Sequence, residues 1–188
     1  MVPVEESALV VAFVGALPAA AQPAFADGPE LGERLSAILD EAKAALGEFA
    51  ASDDGFAAHL GGVLPADATP DALGRLRAAD LYLAYGCAAG EQVALEAFEA
   101  EFGRDIDLAI SRSGNINLGK DEFRQLVRSK LFVAAIGRRP KIADYAGRGD
   151  LRSWVRVTAL RMIVDLVRQH AGDRVVPLEA EALGAIPA

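Results

Sequence analysis

Cysteine is almost absent from this chain: Cys87 stands alone among 188 residues. A disulfide framework and a thiolate metal cluster are therefore excluded, and a reducing, cytoplasmic compartment is the default. Aromatic residues are scarce too, with eight Phe, three Tyr and one Trp, so each position carries information. Long apolar runs are missing. The best candidate, SALVVAFVGALPAAAQPAFA (residues 7–26), is broken by Pro18 and too short to span a bilayer. It also fails as a secretory signal, because Glu5 and Glu6 stand where a basic leader is needed. It reads as a helix or irregular arm docked on the domain, or as a poorly ordered end.

Basic residues are sparse over most of the length and then abundant. Residues 1–119 hold six Lys/Arg against nineteen Asp/Glu, whereas residues 120–174 hold thirteen against six. The net charge of -8 and the pI near 4.8 conceal this division. The local balance permits an anionic partner for the second part. An acidic face packed within the molecule on a basic one is the other explanation.

What is abundant is Ala, Leu and Val at helical spacing, which predicts packed helices. Residues 29–50 place Leu31, Leu35, Ile38, Leu39, Ala42, Leu46 and Phe49 on one face. Ser52-Asp53-Asp54 caps a short helix expected to be ended by Gly61-Gly62 and Pro65, with His59 as a packing or surface histidine. Residues 71–89 predict one helix with Leu73, Leu76, Ala79, Leu83 and Cys87 inward, Cys87 acting as a small buried hydrophobe. Residues 91–102 predict another, ended by Gly103, and residues 105–113 a further one. Gly114 to Lys120 fits GxxxxGK, but Asp121 replaces the Ser or Thr that holds magnesium. A loop capping the next helix explains the same residues.

The helix DEFRQLVRSKLFVAAI puts Phe123, Leu126, Val127, Leu131 and Ala134 on one side, with Gln125, Arg128, Ser129 and Phe132 opposite. Phe132 is either offered to a partner or covered by the N-terminal appendage. After the turn-like Tyr145-Ala-Gly-Arg-Gly, the last helix directs Val155, Ala159, Met162, Ile163 and Leu166 inward. Trp154, Thr158, Arg161, Asp165 and Arg168 share another flank. Two readings of that flank stand: a stacking and phosphate surface for single strands, or a buried Trp beside intrahelical ion pairs. No paired carboxylates, nucleophile–base constellation or metal spacing is visible, so no catalysis, metal or cofactor is assigned.

The run YAGRGDLRSWVRVTALRMIVDLVRQ resembles region 2 of bacterial RNA polymerase sigma factors of the extracytoplasmic-function type. Tyr145, Gly147, Leu151, Trp154, Val155, Ala159, Asp165, Leu166 and Arg168 fall in place without a gap. Upstream, EFRQLVRSKLF is similar to the polymerase-binding helix of that family, and AAGEQVALEAFEAEF to its first helix. The resemblance spans roughly residues 80–172. It implies an all-α, multi-helix bundle of the region 2 type, preceded by an additional acidic helical segment (1–79) and followed by an acidic linker or tail (173–188). It implies transcription initiation without catalysis. Glu122, Gln125, Arg128, Ser129, Lys130 and Phe132 would bind core RNA polymerase. Lys141, Tyr145, Gly147, Arg148, Gly149, Trp154, Thr158, Arg161 and Arg168 would capture single-stranded -10 promoter DNA. An anti-sigma regulator is a further implied partner, and no membrane is. The acidic N-terminal helices would cover the basic surface in the free protein.

Three positions depart from the family pattern. Arg161 stands where the family usually has Asn, Leu126 replaces a frequent acid, and Arg128 replaces an apolar residue. Residues 175–188 look like the linker before region 4, and no helix-turn-helix pattern follows. This implies a shortened chain, or a molecule that binds polymerase and one promoter element. The alternative function is a regulatory interaction protein that keeps the region 2 fold without reading promoters.

Overall fold

The computed structural model describes residues 7–26, 30–112 and 118–173, with side chains to Gln169. Helices and turns make up this part, with no strand among the described residues, as the spacing of Ala, Leu and Val predicts.

The N-terminal apolar run forms α1 (Ala8–Ala16) and the short α2 (Gln22–Phe25). Both dock as expected of an arm: Phe13 and Phe25 are buried and meet edge to face at 5.4 Å. Helix α3 (Leu31–Leu46) buries Leu31, Leu35, Leu39 and Ala42, the i, i+4 stripe of its sequence. Ser52 Oγ accepts from the Gly55 amide and starts α4 (Asp53–Val63). Lys43 on α3 reaches Asp53 at 2.9 Å and ties the two helices.

Helix α4 runs through Gly61-Gly62 instead of ending there. Gly61 is needed for packing: a Cβ at this position would collide with the carbonyl of Phe13. The missing side chain lets α1 lie directly on α4, which outweighs the roughly 1 kcal/mol that a helical glycine costs.

The single helix expected over residues 71–89 is two pieces. A 3₁₀ helix, Pro70–Arg75, is followed by extended Leu76 and Arg77, and α5 covers Ala78–Ala89. Helix α5 is the centre of the molecule. It buries Leu81, Tyr82, Leu83, Ala84, Gly86 and Cys87, and so has no solvent face of the usual width. Phe49 stacks on Tyr82 at 4.3 Å, and the Tyr82 hydroxyl accepts from the Phe49 amide. Cys87 is buried as expected, and burial pushes its thiol up to about 12.

Helix α6 (Gln92–Arg112) passes through Gly103 without a break. Phe98, Phe102, Ile106 and Ile110 keep one buried i, i+4 stripe on both sides of it, so burial decides over propensity. Helix α7 (Lys120–Phe132) stops four residues before the expected end at Ile136. Ala134 and Ile136 are exposed in the loop that follows, and Gly137 turns it with φ +71. After a second 3₁₀ turn, Lys141–Asp144, helix α8 (Leu151–Asp173) closes the chain's described part.

One hydrophobic cluster runs from Phe13 through α3, α4, α5 and α6 to Ile163 of α8. The expected boundary at 79/80 falls inside α5, which packs on α3 and α4 on one side and on α6 on the other. Most of the Gly114–Lys120 pattern lies outside the described residues. Lys120 and Asp121 sit in the first turn of α7, and helix, not strand, runs up to Arg112. No helix among the described residues is long and apolar enough to cross a membrane.

Candidate nucleic-acid and partner interface

The loop between the second 3₁₀ turn and α8 is held by a residue that motif reading passed over. Asp80, in the first turn of α5, uses Oδ2 to accept from Arg77 Nε at 2.7 Å and from the Leu151 amide at 3.0 Å. The Tyr145 hydroxyl lies 3.2 Å from the same oxygen and 2.7 Å from the Gly149 carbonyl, with one proton facing two acceptors. Burial and the neighbouring Asp80 charge raise the phenol far above its usual range, so it stays a neutral donor. Gly147 has φ +69, and a Cβ there would press on Leu81 and Leu76. Asp150 caps α8, accepting from the Ser153 amide and hydroxyl at 2.8 Å each. These bonds hold its carboxyl below the usual range.

This frame corrects part of the expected DNA-contact set. Tyr145 is 1% exposed and Gly147 is buried, so both support the loop and neither presents itself to a base. Arg148 and Gly149 are the loop's exposed residues. Trp154 is half-buried with its edge toward Tyr145 at 6.0 Å, a compromise between the two readings of its sequence. Thr158 is half-buried beside it; Arg161 and Arg168 are exposed. At 100° per residue the five flank residues fall within about 80° of arc, as predicted. Asp165 makes no ion pair with Arg161 or Arg168, and neither arginine pairs with an acid among the described residues. Lys141 is exposed and paired with Asp144 at 2.7 Å.

On α7, Glu122, Gln125, Arg128, Ser129 and Lys130 are exposed as expected. Phe132 is not offered outward. It is half-buried, edge to face with Phe98 at 5.0 Å, so α6 covers it. Leu126, expected inward, is 37% exposed.

The basic part of the chain is neutralised from within, and by α6. Asp105 is 9% exposed and takes Arg156 at 2.6 Å together with a close contact from Arg152. Burial alone would raise its carboxyl; bonds and charge from Arg156 and Arg152 overcome that and hold it low. Arg124 of α7 pairs with Asp107 at 2.5 Å, and Arg124 and Arg128 both approach Glu99. The acidic helices α3 and α4 pack on α5 instead, so the expected masking of the basic surface by N-terminal helices gives way to an α6 clamp.

Two features went unread in the sequence. Val157, Leu160, Val164 and Val167 form an exposed apolar stripe on α8, each at least 41% exposed. Their i, i+3, i+7, i+10 spacing was visible, but the helix is apolar on two faces and the wider inward arc hides the second. The other is a groove of about 930 Å³ between the end of α7, the loop after it and the distal half of α8. It brings Ser129 and Lys130 together with Lys141 and Met162. Comparison of the chain with models of protein families, with curated proteins and with solved structures finds no match.

Proposed function

We propose that the chain is a sigma-like transcription-initiation domain that binds core RNA polymerase and captures single-stranded -10 promoter DNA. The observation that carries the reading is the loop before Trp154. It is anchored from beneath by Asp80 and Tyr145, and it leaves Arg148 and Gly149 outward at the start of the Trp154–Arg168 flank. A preformed ledge followed by a half-exposed indole and arginines that pair with no described acid suits an unstacked strand: bases meet the ring and loop, phosphates meet Arg148, Arg161 and Arg168. The loop orders little on binding, which lowers the entropic cost of capture. Helix α7 turns Gln125, Ser129 and Lys130 to solvent for polymerase, while Phe132 acts from inside by fixing α7 to α6.

The test mixes the full chain with core polymerase and scores co-elution, then promoter opening, for the natural sequence and for Trp154→Ala and Arg161→Ala. Co-elution of all three, with opening weakened in both variants, supports the reading. Absence of co-elution would remove it. A second reading draws on Arg161 in the Asn position and on the burial of Tyr145: a regulatory protein that keeps the fold without reading promoters. Co-elution without opening by any form selects it.

A further inference from the structure

The groove at the end of α7 has a composition that neither DNA capture nor the outer face of α7 accounts for. Its aliphatic lining comes from Leu126 and Val133 on one side and from Met162 and Leu166 of α8 on the other. Its rim is cationic. Lys141 is already engaged with Asp144, but Lys130, Arg138 and Arg139 make no ion pair with any described residue. Asp165 is the one acid that faces them from α8. Val133 is 65% exposed at the mouth, and Ile136 beside it is fully exposed. Exposed aliphatic groups beside cations that no described residue pairs mark an interaction site.

We infer that this groove is a docking site for an acidic amphipathic helix of a partner protein. A groove lined by the end of α7, the loop after it and α8, with aliphatic side chains on both sides, accepts a helix whose aliphatic residues recur at i, i+3 or i+4 and i+7. The unbranched Met162 adapts to whichever side chain enters. Carboxylates on both borders of such a helix meet Lys130 on one side and Arg138 and Arg139 on the other. Lys130 already offsets the carbonyl end of α7, so the strongest acidic contacts belong at the Arg138–Arg139 end. Single-stranded nucleic acid is the less suitable occupant, because no aromatic ring lines the groove for a base to stack on. The groove shares Ser129 and Lys130 with the proposed polymerase face and Lys141 with the proposed DNA set, so its test uses Val133, Arg138 and Arg139, which belong to neither.

The experiment is fluorescence anisotropy on the full chain with three labelled probes. One is a peptide of about twenty residues, leucine along one face and glutamate elsewhere, long enough to be helical when bound. The second replaces its leucines by alanine, and the third is an oligothymidylate. The leucine peptide is expected to bind, and the alanine peptide to bind at least about tenfold more weakly. Arg138→Glu with Arg139→Glu, and separately Val133→Asp, are each expected to weaken the leucine peptide at least about tenfold. All three positions are exposed, so an unchanged melting curve shows that folding is intact. Equal binding of both peptides, or variants that bind like the natural chain, would overturn the inference. Displacement of the peptide by oligothymidylate would make the groove a nucleic-acid site and overturn it too. So would self-association that the same substitutions abolish, which would make a second copy the occupant.

Discussion

Asp80 Oδ2 gathers donors from three segments: Arg77 before α5, Tyr145 in the loop and Leu151 at the start of α8. Replacing Asp80 by Ala leaves a buried phenol and a helix-terminal amide without that acceptor. The expected loss is about 2 kcal/mol in urea unfolding, against about 1 kcal/mol for Tyr145→Phe, which removes a single hydroxyl. His59 supplies a second, pH-dependent test. It is buried, its Nε2 has no partner, and burial with nearby Arg139 lowers it to about 4. The unfolded chain takes up this proton near 6.5, the folded chain only near 4, so stability falls as pH drops through that window. The expected slope amounts to on the order of 3 kcal/mol across the window, and His59→Leu should flatten it in denaturant titrations at pH 7, 5 and 4. Residue-scale legibility followed reach. Cys87 was readable because its neighbours at helical spacing are apolar. Tyr145 was not, because the carboxylate that claims it lies 65 residues away.

Among the elements, α6 does most to position the candidate surfaces. Its Asp105 holds Arg152 and Arg156 of α8, and its Asp107 and Glu99 hold Arg124 and Arg128 of α7. Asp105→Ala is expected to destabilise the fold by about 2 kcal/mol, less than a fully enclosed pair because both arginines keep one side in water. The direction with pH is the same as for His59. The Asp105 carboxyl is held low in the folded state, so its contribution is present above the ordinary Asp range and is lost as pH falls through the depressed value. A urea series from pH 6 to pH 3, natural chain against variant, checks both. The spacing of α3, α7 and α8 showed their buried stripes well, since each is one-sided or nearly so over the predicted inward positions. It failed where glycine was read as punctuation. Gly61 and Gly103 lie inside helices, one because α1 crosses there and the other because the Phe98–Ile110 stripe continues past it.

At the scale of the whole molecule, one apolar cluster joins the acidic first part to the basic second part. A chain cut to residues 80–188 begins inside α5 and loses the α3 and α4 surfaces that cover Tyr82 and Leu83. It is expected to lose the single cooperative thermal transition of the full chain and to bind an apolar dye, measured by circular dichroism and fluorescence. A truncation that melts as sharply as the full chain would show instead that residues 80–173 form their own domain. Charge along the sequence suggested two units, and it did so because charge marks surfaces while the shared core is written in alanines and leucines that look alike on both sides of the division. The groove at the end of α7 was illegible for a related reason: its walls come from two helices and a loop that periodicity treats one at a time.

The Asp80 anchor also orders events in time. Its bonds to Tyr145 and Leu151 span 65 and 71 residues, so neither forms by local search. Like the α6–α8 contacts, these bonds depend on long-range packing and not on neighbouring sequence. The loop that is proposed to hold a base is therefore expected to take shape only together with the long-range core. A nascent chain would expose its basic flank before it owns a surface able to discriminate one strand from another.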